Sequence, residues 1–234
     1  MKRIFQTIAI FLLPMQLFAQ SPLKQGVIEY NWDLSWEKPV AKRNKELVAL
    51  MPGPMNIKLK VTFGDEQFAI ASGFEAQGAE ADLDLMGDRE VINLKTKRQR
   101  TETTIAGTTY YTEEAQDGKA FVRYQKGTKT IAGYLCNRAS VQIGSDIYTV
   151  WYTPAIPFAY NPLGLKFASI KGTVLGFQTG GSRCTATSVH ADGFSTVALV
   201  PNEKAQKVTP AQLEKMRAGQ MKERSGKYKT FEIK

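Results

Sequence analysis

A single histidine, His190, restricts most nucleophile and metal chemistry before the rest of the chain is read. Ser-His-Asp and Cys-His relays need an imidazole to take up the nucleophile's proton, so any such scheme must pass through this residue. It stands at the end of an alternating segment, just before Ala191-Asp192-Gly193, with no second catalytic partner beside it, which marks an ordinary strand-end histidine. No Gly-x-Ser-x-Gly elbow, His-Glu-x-x-His pair, Cys-x-x-Cys pair or phosphate-cradling Walker loop is present. One histidine and two distant cysteines cannot assemble an ordinary structural zinc site. The residues therefore point away from an enzyme, a metal and a cofactor.

Two charged stretches are the remaining candidates. Glu75, Glu80, Asp82, Asp84, Asp88 and Glu90 form an acidic run among Gly and Ala. Asp82-Leu83-Asp84 resembles the start of a calcium loop, but the later ligands and the closing Glu are missing, so a solvated loop is expected. Paired carboxylates for acid and base work need a cleft between them, and nothing in the spacing supplies one. Lys95, Lys97, Arg98 and Arg100 are basic, as is the C-terminal end. No nucleic-acid motif accompanies them. Their readings are a strand edge protected against unwanted pairing or attraction to anionic lipid.

The start of the chain gives an address. Met1-Lys2-Arg3, an apolar stretch to Phe18 and then Ala19-Gln20 have the layout of a secretory signal peptide over 1–19. Its longest apolar run is too short to span a bilayer, for which about 20 residues are needed. Export to the periplasm or beyond is the expectation, and it puts Cys136 and Cys184 where disulfides form. An even count favours a bond between them, with two separately buried thiols as the alternative. The net charge of +9 falls to +7 without Lys2 and Arg3, and residues 203–234 carry +5 of that.

The elements that would position such groups are mostly strands. Ile28, Tyr30, Trp32, Leu34 and Trp36 alternate with Val27, Glu29, Asn31, Asp33 and Ser35, and Met55, Ile57, Leu59, Val61 and Phe63 alternate with polar residues over 55–63. Gly64-Asp65 turns the second into a hairpin with Phe68 and Ile70. Further strands are expected at 90–95, 107–112, 120–125, 130–142, 146–153, 173–179, 183–190 and 194–200, separated by turns such as Gly127-Thr128 and Gly144-Ser145. Helical pattern is confined to 40–51 and 210–223, the latter with a capping-box start at Thr209, Pro210 and Gln212. Its apolar stripe is narrow, so 203–234 reads as a basic helix and tail separable from a β domain over 20–202. Strand 146–153 has aromatics on both faces: Trp151 on one, Tyr148 and Tyr152 on the other. Such a strand is covered on both sides, and the second cover must be a helix, a loop or a bound ligand. Tyr148, Trp151 and Tyr152 are thus candidate ligand-wall residues, with ordinary core packing as the alternative.

Gly133-Tyr134-Leu135-Cys136, followed by Trp151-Tyr152-Thr153-Pro154 and Ile156-Pro157, resembles a block of the GLPGLI family of exported bacterial proteins. The Gly26-Val27-Ile28-Glu29-Tyr30 strand is similar to that family's opening. The name-giving hexapeptide is degraded to Ser169-Ile170-Lys171-Gly172-Thr173-Val174, keeping its second Gly and losing its Pro. The resemblance implies no activity. It implies a mainly β, carrier-like fold, a curved antiparallel sheet or half-open barrel with one or two short helices. Two functions stay open ahead of a third, a hydrolase with an unrecognised site. One is a non-enzymatic envelope protein binding an apolar or amphiphilic ligand; the other is a structural or protein-interaction module of the envelope, with peripheral contact to anionic membrane through its basic tail.

Overall fold

Ile28, Tyr30 and Trp32 of β1 (Gln25–Leu34) face Val61, Leu59 and Ile57 of β2 (Met55–Gly64), and this antiparallel register starts the inner face of one long sheet. The computed structural model describes residues 23–34, 55–75, 88–115 and 120–229; the expected signal segment and the 40–51 helix lie outside them. A tight turn with Asp65 at φ 52° leads into β3 (Gln67–Glu75), which adds Phe68 and Ile70 to the same face. The sheet continues through β4 (Arg89–Asn93), β5 (Arg98–Ile105), β6 (Thr108–Ala115), β7 (Phe121–Ile131), β8 (Tyr134–Ile143), β9 (Asp146–Thr153), β10 (Thr173–Thr179), β11 (Ser182–His190) and the two-residue β12 (Gln206–Lys207). Its strand order is β12-β6-β5-β4-β3-β2-β1-β11-β10-β9-β8-β7. All neighbours are antiparallel except β12 on β6. The sheet is strongly curved, bringing β7 into contact with β11, yet β7 and β12 remain as its two edges and no barrel closes.

A curved sheet must fill its concave side, and with few helices among the described residues the chain does so with the connection between β9 and β10. Residues 154–172 fold inward as a plug, burying Ile156, Tyr160, Leu165, Phe167 and Ile170 in the main core. Each such side chain contributes roughly 1.5–3 kcal/mol through removal from water. Tyr160 stacks on Phe63 with centroids 4.4 Å apart, meets Phe68 edge-on at 5.8 Å and donates its hydroxyl proton to the Asp65 carbonyl. Asn161 turns the plug locally, donating to the Ala159 carbonyl and accepting from the Leu163 N–H, each at 2.8 Å. The plug ends at Gly172, whose φ of 137° is open to glycine, and whose Cβ, were there one, would lie 2.4 Å from the Thr153 carbonyl oxygen. This is the glycine kept in the degraded hexapeptide.

One buried polar group finds its partner where the sheet is irregular. A register shift between Val174 and Gly176 disturbs the β9–β10 ladder. The Tyr30 hydroxyl donates to the Val174 carbonyl at 2.8 Å, across β11, on which Tyr30 faces only the small Ala186.

Several elements differ from expectation. The segment 98–105 is a full strand that hydrophobic alternation does not reveal, because its residues alternate charged with uncharged polar. Its charges are neutralised after folding: Glu102, only 4% exposed, pairs with Arg89 at 3.0 Å and with Arg100 Nε at 2.9 Å. Gly127-Thr128 is not a turn but a bulge inside β7; the reversal falls at Ala132-Gly133, where φ values of 48° and 82° suit a two-residue hairpin. Residues 194–200 form no strand. Phe194 and Leu199 fold over Ala69 and Val91 on the convex face, around a 3-10 turn at Thr196–Leu199.

The C-terminal segment is longer and better attached than its narrow stripe suggests. Helix α1 (Pro210–Lys229) starts with the expected Thr209–Gln212 capping contacts. It buries Leu213 to 4% exposure and sends Arg217 to Asp88 at 2.6 Å and to Thr103 at 2.8 Å. Lys207 of β12 pairs with Glu113 of β6 at 2.8 Å. These contacts tie the C-terminal segment to β5, β6 and Asp88, the residue before β4.

Candidate functional site

The plug does not fill the whole concavity. Beside it lies an open cleft of about 580 Å³. Its floor is the inner face of β1–β3, presenting Trp32, Ile57, Leu59 and Ile70, and the plug supplies Pro162, Leu163 and Leu165 as the facing apolar wall. These positions share one face because period-two side chains of antiparallel strands in this register line up in rows. Trp32 is fixed by its indole N–H, which donates to the Ser182 hydroxyl, and by an edge contact with Phe177 at 5.6 Å.

The far wall is polar. Asp88, Glu90, Gln99, Glu114 and Lys166 converge there with Ser72. Gln99 sits between wall and plug: its Nε2 donates to Glu90 at 3.0 Å and its Oε1 accepts the Leu165 N–H at 3.2 Å. Gly164 lets the plug approach so closely, since a Cβ there would fall 2.4 Å from Gln99 Oε1. Burial holds the Glu90 carboxyl above the ordinary glutamate value, Asp88 and Glu114 add to that rise, and Lys166 opposes it. A site with a hydrocarbon floor and a carboxylate wall can take a ligand with two unlike ends.

The aromatics singled out from β9 do not line this cleft. Tyr148 packs edge-on against Phe167 of the plug at 5.4 Å and Phe177 at 6.0 Å, Tyr152 meets Tyr124 at 5.6 Å, and Trp151 lies under the Arg138 guanidinium at 6.0 Å. The plug thus covers the Tyr148 face of β9, whereas Ile147 on the opposite face is 62% exposed, so the strand is not covered on both sides as its sequence led us to expect.

Cys136 and Cys184 are free thiols and both are buried, so the bond favoured by their even count is not formed in this structure. They stand on β8 and β11, with β9 and β10 between them in the sheet. Burial pushes the Cys136 thiol up to about 11 and the Cys184 thiol further. His190 ends β11 with Nδ1 2.7 Å from the Asp192 carbonyl oxygen, as a strand-end residue does. Lys95 and Lys97 are exposed in the β4–β5 turn, whereas Arg100 lies 3.6 Å over the Tyr111 ring.

Of the acidic run, Asp88 and Glu90 reach the cleft; Glu80, Asp82 and Asp84 lie outside the described residues. Gln99, Glu114 and Lys166 had no signal of their own. The one available clue was the polar stretch 98–104 between apolar segments, since a strand without an apolar face has another use for its side chains.

What fold and site together define is an open, curved antiparallel sheet plugged by one of its own connections, with a mixed apolar and acidic cleft beside the plug. The chain matches no family model and no curated protein. Among solved structures it is similar to PNGF-II, in its C2 and P21 space-group forms, at 18% and 20% identity and a TM-score of 0.56 for each. The match covers 82% of this chain but only 32% and 33% of those chains, so the likeness is one of fold over about a third of PNGF-II.

Proposed function

We propose that this is a non-enzymatic binding protein of the cell envelope, related to the GLPGLI family, which holds an amphiphilic ligand in the cleft between plug and floor. The observation that carries the reading is the opposition of Trp32, Ile57, Leu59 and Ile70 to a wall of carboxylates and amide within one cleft. The signal-peptide layout of 1–19 supports the address. The ligand site lies at β1–β4 in this reading, and Tyr148, Trp151 and Tyr152 of β9 act as packing behind it.

The test is titration of the purified protein with N-phenylnaphthylamine, an uncharged probe that fluoresces in apolar surroundings. Saturable binding at one site per chain is expected. Ser72→Trp, which fills the cleft from a half-buried position on β3, should weaken it by about tenfold or more, or about 1.4 kcal/mol, with circular dichroism unchanged. Absence of saturable binding, or equal binding by a folded Ser72→Trp variant, would overturn the reading.

The second reading, an interaction module, has one observation of its own. Phe121 and Ile147, 68% and 62% exposed, sit on either side of Gln142 in neighbouring strands at the β7 edge.

A further inference from the structure

We infer that the polar end of the ligand is an organic cation, such as an ammonium group, held by Glu90 and Glu114. This rests on the proposed binding function and adds the sign of the charge. Among the described residues, three carboxylates line the cleft against a single lysine, Lys166. Asp88 is already engaged by Arg217 and by the Thr103 hydroxyl. Glu90 receives only the neutral Gln99 amide, and among the described residues neither Glu90 nor Glu114 forms an ion pair.

An anionic head group would meet like charge, whereas a cation would offset the cost of keeping Glu90 partly out of water. The Glu90 carboxyl is raised first by burial and then by Asp88, and Lys166 only opposes that rise without reversing it. A bare metal ion fits poorly. The described His, Cys, Asp and Glu side chains form no group of three that could hold one, and the hydrocarbon floor would be left unused. The occupant matching both walls has a hydrocarbon body and a positively charged end.

Three amphiphiles with the same alkyl chain separate charge from hydrophobicity: dodecyltrimethylammonium, dodecyl maltoside and dodecyl sulfate, each below its micelle concentration and each displacing N-phenylnaphthylamine. The ammonium compound should bind about tenfold tighter than the maltoside, and the sulfate more weakly than either. In the Glu90→Gln, Glu114→Gln double variant the ratio of ammonium to maltoside affinity should fall to about one. Equal affinities for the three in the wild type, or a preference that survives in the double variant, would overturn the inference while leaving the binding function standing. If N-phenylnaphthylamine itself shows no saturable binding, the binding function fails instead.

Discussion

Gln99 holds Glu90 by one end of its amide, with Nε2 3.0 Å from the carboxylate, and holds the plug by the other through the Leu165 N–H. One side chain therefore sets both the orientation of the acidic wall and the width of the cleft. Neither contact needs Glu90 to be charged, since a neutral amide oxygen in its place accepts the same bond.

That arrangement predicts a stabilising substitution. A carboxyl raised in the folded state binds its proton more tightly there than in the unfolded chain, so its contribution is present at low pH and is lost as pH rises through the folded value. Burial is the first cause of the rise at Glu90. Glu90→Gln should match the wild type in urea midpoint at about pH 4 and exceed it at about pH 7. A midpoint below wild type at neutral pH would mean that the charge is compensated.

Gly172 is the second prediction. At φ 137° with the Thr153 carbonyl oxygen 2.4 Å from an added Cβ, alanine meets both backbone strain and a clash with main chain. Gly172→Ala should cost at least about 1–3 kcal/mol, read as a lower denaturant midpoint with unchanged slope. A loss under about 0.5 kcal/mol, as for an ordinary surface change, would show that the plug ends differently.

The thiols make the third. Unreduced protein denatured in guanidinium should titrate with two thiols per chain, while native protein reacts slowly, because burial disfavours both thiolates. A count of zero would restore the disulfide and require β8 and β11 to meet.

Leu213 decides how the C-terminal segment behaves. With its side chain buried and Arg217 on Asp88, Leu213→Ala should cost about 2 kcal/mol, a fall in Tm of roughly 4–8 °C for a chain of this size. Deleting 209–234 should cost more, since it also exposes the Asp88–Thr103 contact. A deletion that moves Tm by only a degree or two would return the segment to the status of an accessory.

The strands were legible wherever one face is apolar. Ile28, Tyr30, Trp32, Ile57, Leu59, Val61 and Phe63 alternate because each strand presents one face to the core, and that period is written in the residues themselves. The mainly β class, the hairpin at Gly64-Asp65 and the helix cap at Thr209 follow from such local rules. Strand 98–105 did not, because its inner side faces a polar wall and its outer Glu102 is matched by Arg100 of the same strand and by Arg89, which pairing of β4 with β5 brings alongside. The cleft was beyond reach for the same reason. Trp32, Glu90 and Lys166 are distant in sequence, and nothing in their spacing tells that they meet at one cleft. Sheet curvature and the inward fold of 154–172 decide it, because an open concave face must be covered by whatever chain can bury Tyr160, Leu165 and Phe167, and the cleft is the part that this plug leaves uncovered.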